Sequence, residues 1–127
     1  MVVFWVALGG AIGASARYGV GGWVHARLGS DFPWGTLVVN VAGSLLIGFA
    51  LRYLEATRLS PDMRALITIG VLGAFTTFST FSYETVTLLE GGAWMRAFTY
   101  ATGSFVLGLA AAGAGITMAR HLLQVHP

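Results

Sequence analysis

Residues 70–84 read GVLGAFTTFSTFSYE, setting Thr76, Thr77, Ser79, Thr80 and Ser82 among Phe75, Phe78 and Phe81 and ending in the carboxylate of Glu84. Hydroxyls can hydrogen-bond an ion or a freed backbone group, and the edge of an aromatic ring carries partial positive charge. A lipid-facing helix has no use for so many hydroxyls behind two glycines, Gly70 and Gly73. Two chemistries follow. If the helix unwinds near Gly70 and Gly73, exposed carbonyls become ligands for a monovalent cation, because broken backbone at membrane depth is tolerated only where it is buried or lines a cavity. Phenylalanines turned edge-on could favour a small anion without offering a full charge. Against both stands ordinary packing, the commoner role of aromatics repeating every three residues.

Other polar residues sit in equally apolar settings. Asn40 lies within TLVVNVAGS, where an amide facing lipid would leave its groups unpaired at about 2–7 kcal/mol. It must face protein or water, and an interhelical hydrogen bond and a place on a polar pathway suit it equally. Thr36, one turn earlier, can share its face. Arg17 is costly at any depth in a bilayer and fits either snorkelling to the interface or contact with an ion. Glu84 has three open roles: a surface anchor, a partner for an arginine, or a titratable group near a pore mouth. Tyr100 and Ser104, four residues apart, can extend a polar path or simply pack in a glycine-rich helix. His25, His121 and His126 lack metal-ligand spacing, and no nucleophile–base pair or phosphate loop occurs, so catalysis is not expected.

The elements that must position these residues are membrane helices. Of the 127 residues 56% are hydrophobic and 9% charged, and the mean hydropathy is +0.76, outside the range of soluble domains. Crossing the hydrocarbon core takes about 20 apolar residues. Residues 33–51, 65–83 and 97–119 contain no Asp, Glu, Lys or Arg, and a first apolar segment over residues 2–28 is interrupted by Arg17, with Arg27 at its end. Residues 1–127 therefore read as a single domain of four transmembrane helices. Gly29, Pro33, the Ser60-Pro61 pair and Gly91-Gly92 punctuate them. Connections this short force consecutive helices antiparallel. Gly9 and Gly13, with Gly103, Gly108, Ala112, Gly113 and Gly115, offer small-residue surfaces for close helix packing.

Residues 1–8 carry no charged side chain, so a cleaved secretory signal is not expected. With no cysteine, disulfides and thiolate metal sites are excluded. The cations are seven arginines spread along the chain without forming a basic patch, which leaves nucleic-acid binding unsupported. Arg52, Arg58, Arg64 and Arg120 fall on the side of the termini and Arg17, Arg27 and Arg96 on the other. Four against three barely biases insertion, so both orientations, and an antiparallel pair of the two, stay open. Four thin helices enclose little volume, so an aqueous path is expected at a subunit interface.

Three stretches match one family in order, spacing and setting: GGAIGASARY at residues 9–18, PWGTLVVNVAGSLLIG at 33–48 and GVLGAFTTFSTFSYET at 70–85. Through them the chain resembles, essentially end to end, the Fluc (CrcB) fluoride channels of microorganisms. The resemblance implies an all-α membrane protein whose third helix is broken near its middle, at TTFST, residues 76–80, assembled as an antiparallel, dual-topology homodimer with two fluoride pores in the plasma (inner) membrane. It implies a structural sodium ion at the dimer interface, held by the backbone carbonyls of Gly73 and Thr76. By motif position it assigns Phe78 and Phe81 to the pore, Asn40 to the vestibule, Thr80, Tyr100 and Ser104 to a polar track, and Glu84 and Arg17 to the same fluoride pathway. Two departures stand out: Gly108 replaces a serine found in some relatives, and Phe75 replaces a smaller or aliphatic residue. Phe75 is therefore expected to pack near the break. The rival class is a proton-coupled exporter of the small multidrug type. Such exporters use a carboxylate in the first helix, and this chain has none there.

Overall fold

The computed structural model describes residues 1–125, and His126 lies outside them. Six α-helices and one π-helical stretch form four spans: α1 (Val2–Leu28), α2 (Trp34–Glu55), a composite third span, and α6 (Trp94–Val125). The third span runs through α3 (Pro61–Ala65), the π-helical stretch Leu66–Leu72, α4 (Gly73–Phe75) and α5 (Phe78–Glu90). All four spans are long and apolar enough to cross a membrane. Even the shortest, α2, measures roughly 33 Å at 1.5 Å per residue, enough for a hydrocarbon core of about 30 Å.

The ends follow the punctuation in the sequence. Gly29 closes α1 with φ +86°, a conformation that L side chains rarely adopt, and its N–H donates to the His25 carbonyl at 2.9 Å. The Ser60 hydroxyl accepts the Met63 N–H at 3.3 Å, with Pro61 at the first helical position. Gly92, φ +74°, turns the chain between α5 and α6.

Small residues bring the spans together. A side chain on Gly9 would meet the Leu66 carbonyl oxygen, and one on Gly70 would come within 2.8 Å of the Gly9 Cα, so α1 and the π-helical stretch touch backbone to backbone. Gly48 meets Ala112, and Gly115 meets the Leu45 carbonyl, which seats α6 on α2. Gly103 and Gly113 have open space where a side chain would stand, so only part of the small-residue surface of α6 is used within one chain. The buried interior is thin. Val39, Tyr100, Ala97 and Ala119 are its most enclosed residues, while α5 contributes none.

Candidate functional site

The third span breaks at Thr76 and Thr77, which are extended at φ/ψ −85°/159° and −151°/114°. Composition alone suggests unwinding near Gly70 and Gly73, but both glycines stay in the helical segments, Gly70 being occupied by its contact with Gly9, and the break lies within residues 76–80, where the family resemblance puts it. The break falls later because partners for the freed backbone wait there. Asn40 on α2 accepts the Thr77 N–H on Oδ1 at 2.8 Å and donates from Nδ2 to the Thr77 carbonyl at 3.0 Å. One amide thus satisfies both polar groups of a single residue at membrane depth. The Ser44 hydroxyl donates to the Asn40 carbonyl at 2.7 Å. Opposite Gly43, the Thr76 methyl and the Phe75 ring fill the place a side chain would take, so α2 can lie directly against the break. Phe75 is buried, in agreement with its expected packing role.

Thr77 also restarts the helix. Its hydroxyl accepts the Thr80 N–H at 3.2 Å, donates to the Thr80 hydroxyl at 3.0 Å and lies 3.2 Å from the Ser79 hydroxyl. This is an N-cap made from the hydroxyl cluster itself. From α1, Arg17 donates through Nη1 to the Thr76 carbonyl at 3.3 Å. The guanidinium therefore reaches the broken backbone of the third span.

These bonds bear on whether the broken backbone suits a cation. In a continuous helix the Thr77 N–H would donate to the Gly73 carbonyl. Here it goes to Asn40, and the Gly73 oxygen loses its usual donor. The Thr76 oxygen has Arg17 on one of its two lone pairs. Two neutral carbonyl oxygens near a helix break fit a hard monovalent cation. Among the described residues, no group of three His, Cys, Asp or Glu side chains could hold a metal ion.

Glu84 joins three elements. Its Oε1 accepts the Thr36 hydroxyl of α2 at 2.9 Å, and its Oε2 accepts the Tyr100 hydroxyl of α6 at 2.7 Å. Of the open roles, the arginine partnership does not occur: among the described residues no arginine lies within ion-pair distance of Glu84. Tyr100 is fully buried, its ring 5.2 Å from that of Phe81 and edge-on to Phe32 at 5.5 Å. Phe81 in turn lies 5.6 Å from Phe78, which is 79% exposed within one chain.

Two cavities meet at Thr77. The first, about 350 Å³, is lined by Arg17, His25, Thr36, Thr77, Thr80 and Glu84, among others. The second, about 320 Å³, is lined by Asn40, Ser44, Thr76, Phe78, Phe81 and Ser104, among others. Ser104 differs from the other hydroxyls at the site: its oxygen is buried and, among the described residues, has no hydrogen-bond partner. The structure thus brings Arg17, Thr80 and Glu84 around one side of the break and Asn40, Thr76, Phe78, Phe81 and Ser104 around the other, with Arg17 reaching across to the Thr76 carbonyl. Tyr100 stands behind both and acts through Glu84 and Phe81. Thr36 and Thr77 belong with them, the first already read as sharing the Asn40 face and the second as a hydroxyl able to take up freed backbone groups, and so does Ser44, which the sequence had not singled out. The signals were the hydroxyl three residues before Thr80, an N-cap spacing, and Thr36 and Ser44 each four residues from Asn40.

A family model described as "CrcB-like protein, Camphor Resistance (CrcB)" matches residues 4–116. A protein of Thermus thermophilus named fluoride-specific ion channel FluC is 55% identical over 104 residues, 82% of either chain. Proteins of the same name from Acidobacterium capsulatum and Roseiflexus sp. are 47% and 49% identical over 124 residues each. They cover 97% and 96% of this chain and 99% of their own length.

Proposed function

The chain belongs to the CrcB-like family, and from that membership we infer that it is a fluoride-specific ion channel in a membrane, passing fluoride outward without an energy source. Hydrogen fluoride crosses bilayers as a neutral acid and dissociates inside the cell. An inside-negative potential then favours anion exit by about 2.3 kcal/mol per charge per 100 mV. In this reading the membrane is the plasma membrane.

The observation that carries this reading within the structure is the unpartnered Ser104 hydroxyl, buried in the cavity that Phe78 and Phe81 line. A free donor beside two ring edges suits a small, strongly hydrated anion, replacing part of its hydration shell, and the narrow space disfavours larger halides. Fluoride moves past Phe78, Phe81 and Ser104. Asn40 and Thr77 hold that wall in place, and Thr80, Arg17 and the Glu84–Tyr100 pair line or support the other side of the break. Arg17 contributes the positive charge of the first cavity, and Glu84, tied down by two hydroxyl donors, orients Thr36 and Tyr100.

The working unit in this proposal is an antiparallel, dual-topology homodimer with two pores. Its support is that α5 buries no residue within one chain and leaves the hydroxyls of Ser79 and Thr80 uncovered beside Phe78, a partly polar face that suits a second copy better than lipid. The near-even arginine distribution permits both insertions. A sodium ion at the interface would be held by the carbonyls of Gly73 and Thr76. It would lock the two breaks together, since two oxygens from one chain make only part of a coordination shell.

Purified protein in liposomes loaded with fluoride or chloride tests the function with an ion-selective electrode. Fast fluoride efflux with chloride retained is expected. Equal release of both ions, or of neither, refutes the channel reading.

A further inference from the structure

His25 lines two cavities at once. One is the 350 Å³ cavity that reaches Arg17 and Thr77. The other, about 230 Å³, lies at the α1–α2 connection and is lined by Ser30, Asp31, Phe32, Tyr83 and Thr87, among others. Only three residues are common to both: His25, Pro33 and Glu84. Pro33 has no titratable group, and the Glu84 oxygens are already engaged by Thr36 and Tyr100. His25 is different. It is exposed, and among the described residues no carboxylate lies within ion-pair distance of its imidazole. Between Arg17 and His25 the cavity wall is formed by Gly21 and Gly22, so no side chain at those positions separates the two basic groups.

From these contacts we propose that His25 is a titratable anion-attracting residue at the mouth of the conduction path, drawing fluoride toward the Arg17 cavity when protonated and releasing that hold when neutral. The proposal rests on the fluoride-channel reading above. Imidazole changes charge in the range in which cells operate, and one added charge in a narrow, low-dielectric cleft raises the local concentration of its counter-ion. The charged and titratable groups that share these cavities with His25 come from α1, the α1–α2 connection and α5. They are Arg17 and Tyr18 on α1, Asp31 in the connection, and Tyr83 and Glu84 on α5. From α6, Arg96 donates to the Asp31 carbonyl at 3.1 Å and Tyr100 donates to Glu84. Arg27, next on the same helix end, sits over the Trp23 ring, 5.0 Å from its centroid. His25 is the one imidazole among these, and it has a place on both cavities.

The test is fluoride current through purified protein in planar bilayers, at fixed fluoride and ionic strength, with pH stepped across the imidazole range. Neutral hydrogen fluoride carries no current, so its diffusion does not enter. Wild-type current is expected to fall about threefold as pH rises from about 5.5 to about 8. His25→Gln is expected to be pH-independent at the low level, and His25→Lys pH-independent at the high level. Raising ionic strength with an impermeant salt is expected to shrink the wild-type effect, since exposed charges are screened. A flat wild-type profile, a His25→Gln profile that still titrates, or a pH effect indifferent to ionic strength each overturns the proposal. Absence of wild-type current at every pH instead defeats the channel reading on which it rests.

Discussion

Replacing Asn40 by alanine removes the two hydrogen bonds that hold the break, 2.8 Å to the Thr77 N–H and 3.0 Å to the Thr77 carbonyl. Thr77 is 8% exposed, so neither group gains ready access to water. Each buried group left unpaired costs about 1–3 kcal/mol, and the pair about 2–6 kcal/mol. The loss falls on the break, because the Ser44 bond goes to the Asn40 backbone carbonyl and survives the substitution. Asn40→Asp separates geometry from charge. A carboxylate can still accept the Thr77 N–H but cannot donate to its carbonyl, so half the clamp remains while a negative charge enters the cavity with Phe78 and Ser104. Stability is therefore expected to fall in the order wild type, Asn40→Asp, Asn40→Ala, whereas fluoride efflux is lost in both variants. Unfolding in mixed detergent micelles, measured beside liposome efflux, checks both. An alanine variant within about 0.5 kcal/mol of wild type and with full efflux would refute the clamp.

Phe78→Ile and Phe81→Ile are each expected to slow fluoride efflux severely. Only Phe81→Ile is also expected to loosen the fold, because Phe81 packs on Tyr100 whereas Phe78 is exposed within one chain. Ser104→Ala is expected to leave stability unchanged or slightly raised and to cut flux about tenfold, the loss of one hydrogen bond to an anion at roughly 1.5 kcal/mol. A Ser104→Ala channel with normal flux removes that hydroxyl from the path. Gly43→Ala puts a methyl against the Thr76 side chain and 3.2 Å from the Phe75 ring. It is expected to cost about 1–3 kcal/mol by overpacking, and a thermal melt reads it. Protein purified and assayed without sodium is expected to lose fluoride flux and regain it when sodium is restored; unaltered flux through repeated sodium-free exchange rules out a structural role for the ion.

Much of this was legible in the sequence, because the membrane constrains the chain so strongly. Uncharged runs of sufficient length marked the spans, and Gly29, Ser60 and Pro61 marked their ends by local conformational rules that operate without tertiary help. The site was legible as a set of residue types in an improbable setting. Its partners were not. Whether Asn40 crosses between helices or faces a pathway depends on which part of the third span lies opposite, and periodicity along α2 carries no information about that. The location of the break was legible through the resemblance, which put it at residues 76–80, but not from composition. Two glycines looked like the weak point from composition, yet the opening occurs where Asn40 and the Thr77 hydroxyl lie ready to take up the freed groups. Glycine content speaks only to the ease of bending, whereas the place of a break depends on what compensates it.

That compensation also bears on where the ion goes. At the break, the Thr77 N–H and carbonyl are paired with Asn40, the Thr76 carbonyl with Arg17, and the Thr36 and Tyr100 hydroxyls with Glu84. Each is a polar group that would otherwise burden a helix in hydrocarbon, and each has a partner within the fold, the Thr76 oxygen keeping one lone pair free. An anion in transit can be served only by donors that the fold has left free. The Ser104 hydroxyl is such a donor, buried without a partner beside Phe78 and Phe81. A fully satisfied cluster would hold the helices together more firmly and bind nothing, while a cluster with many free donors would not stay folded in a bilayer. A buried hydroxyl without a partner among the described residues, in a cavity shared with Phe78 and Phe81, lies between those limits, and a channel requires a hold strong enough to replace water and weak enough to let the ion leave.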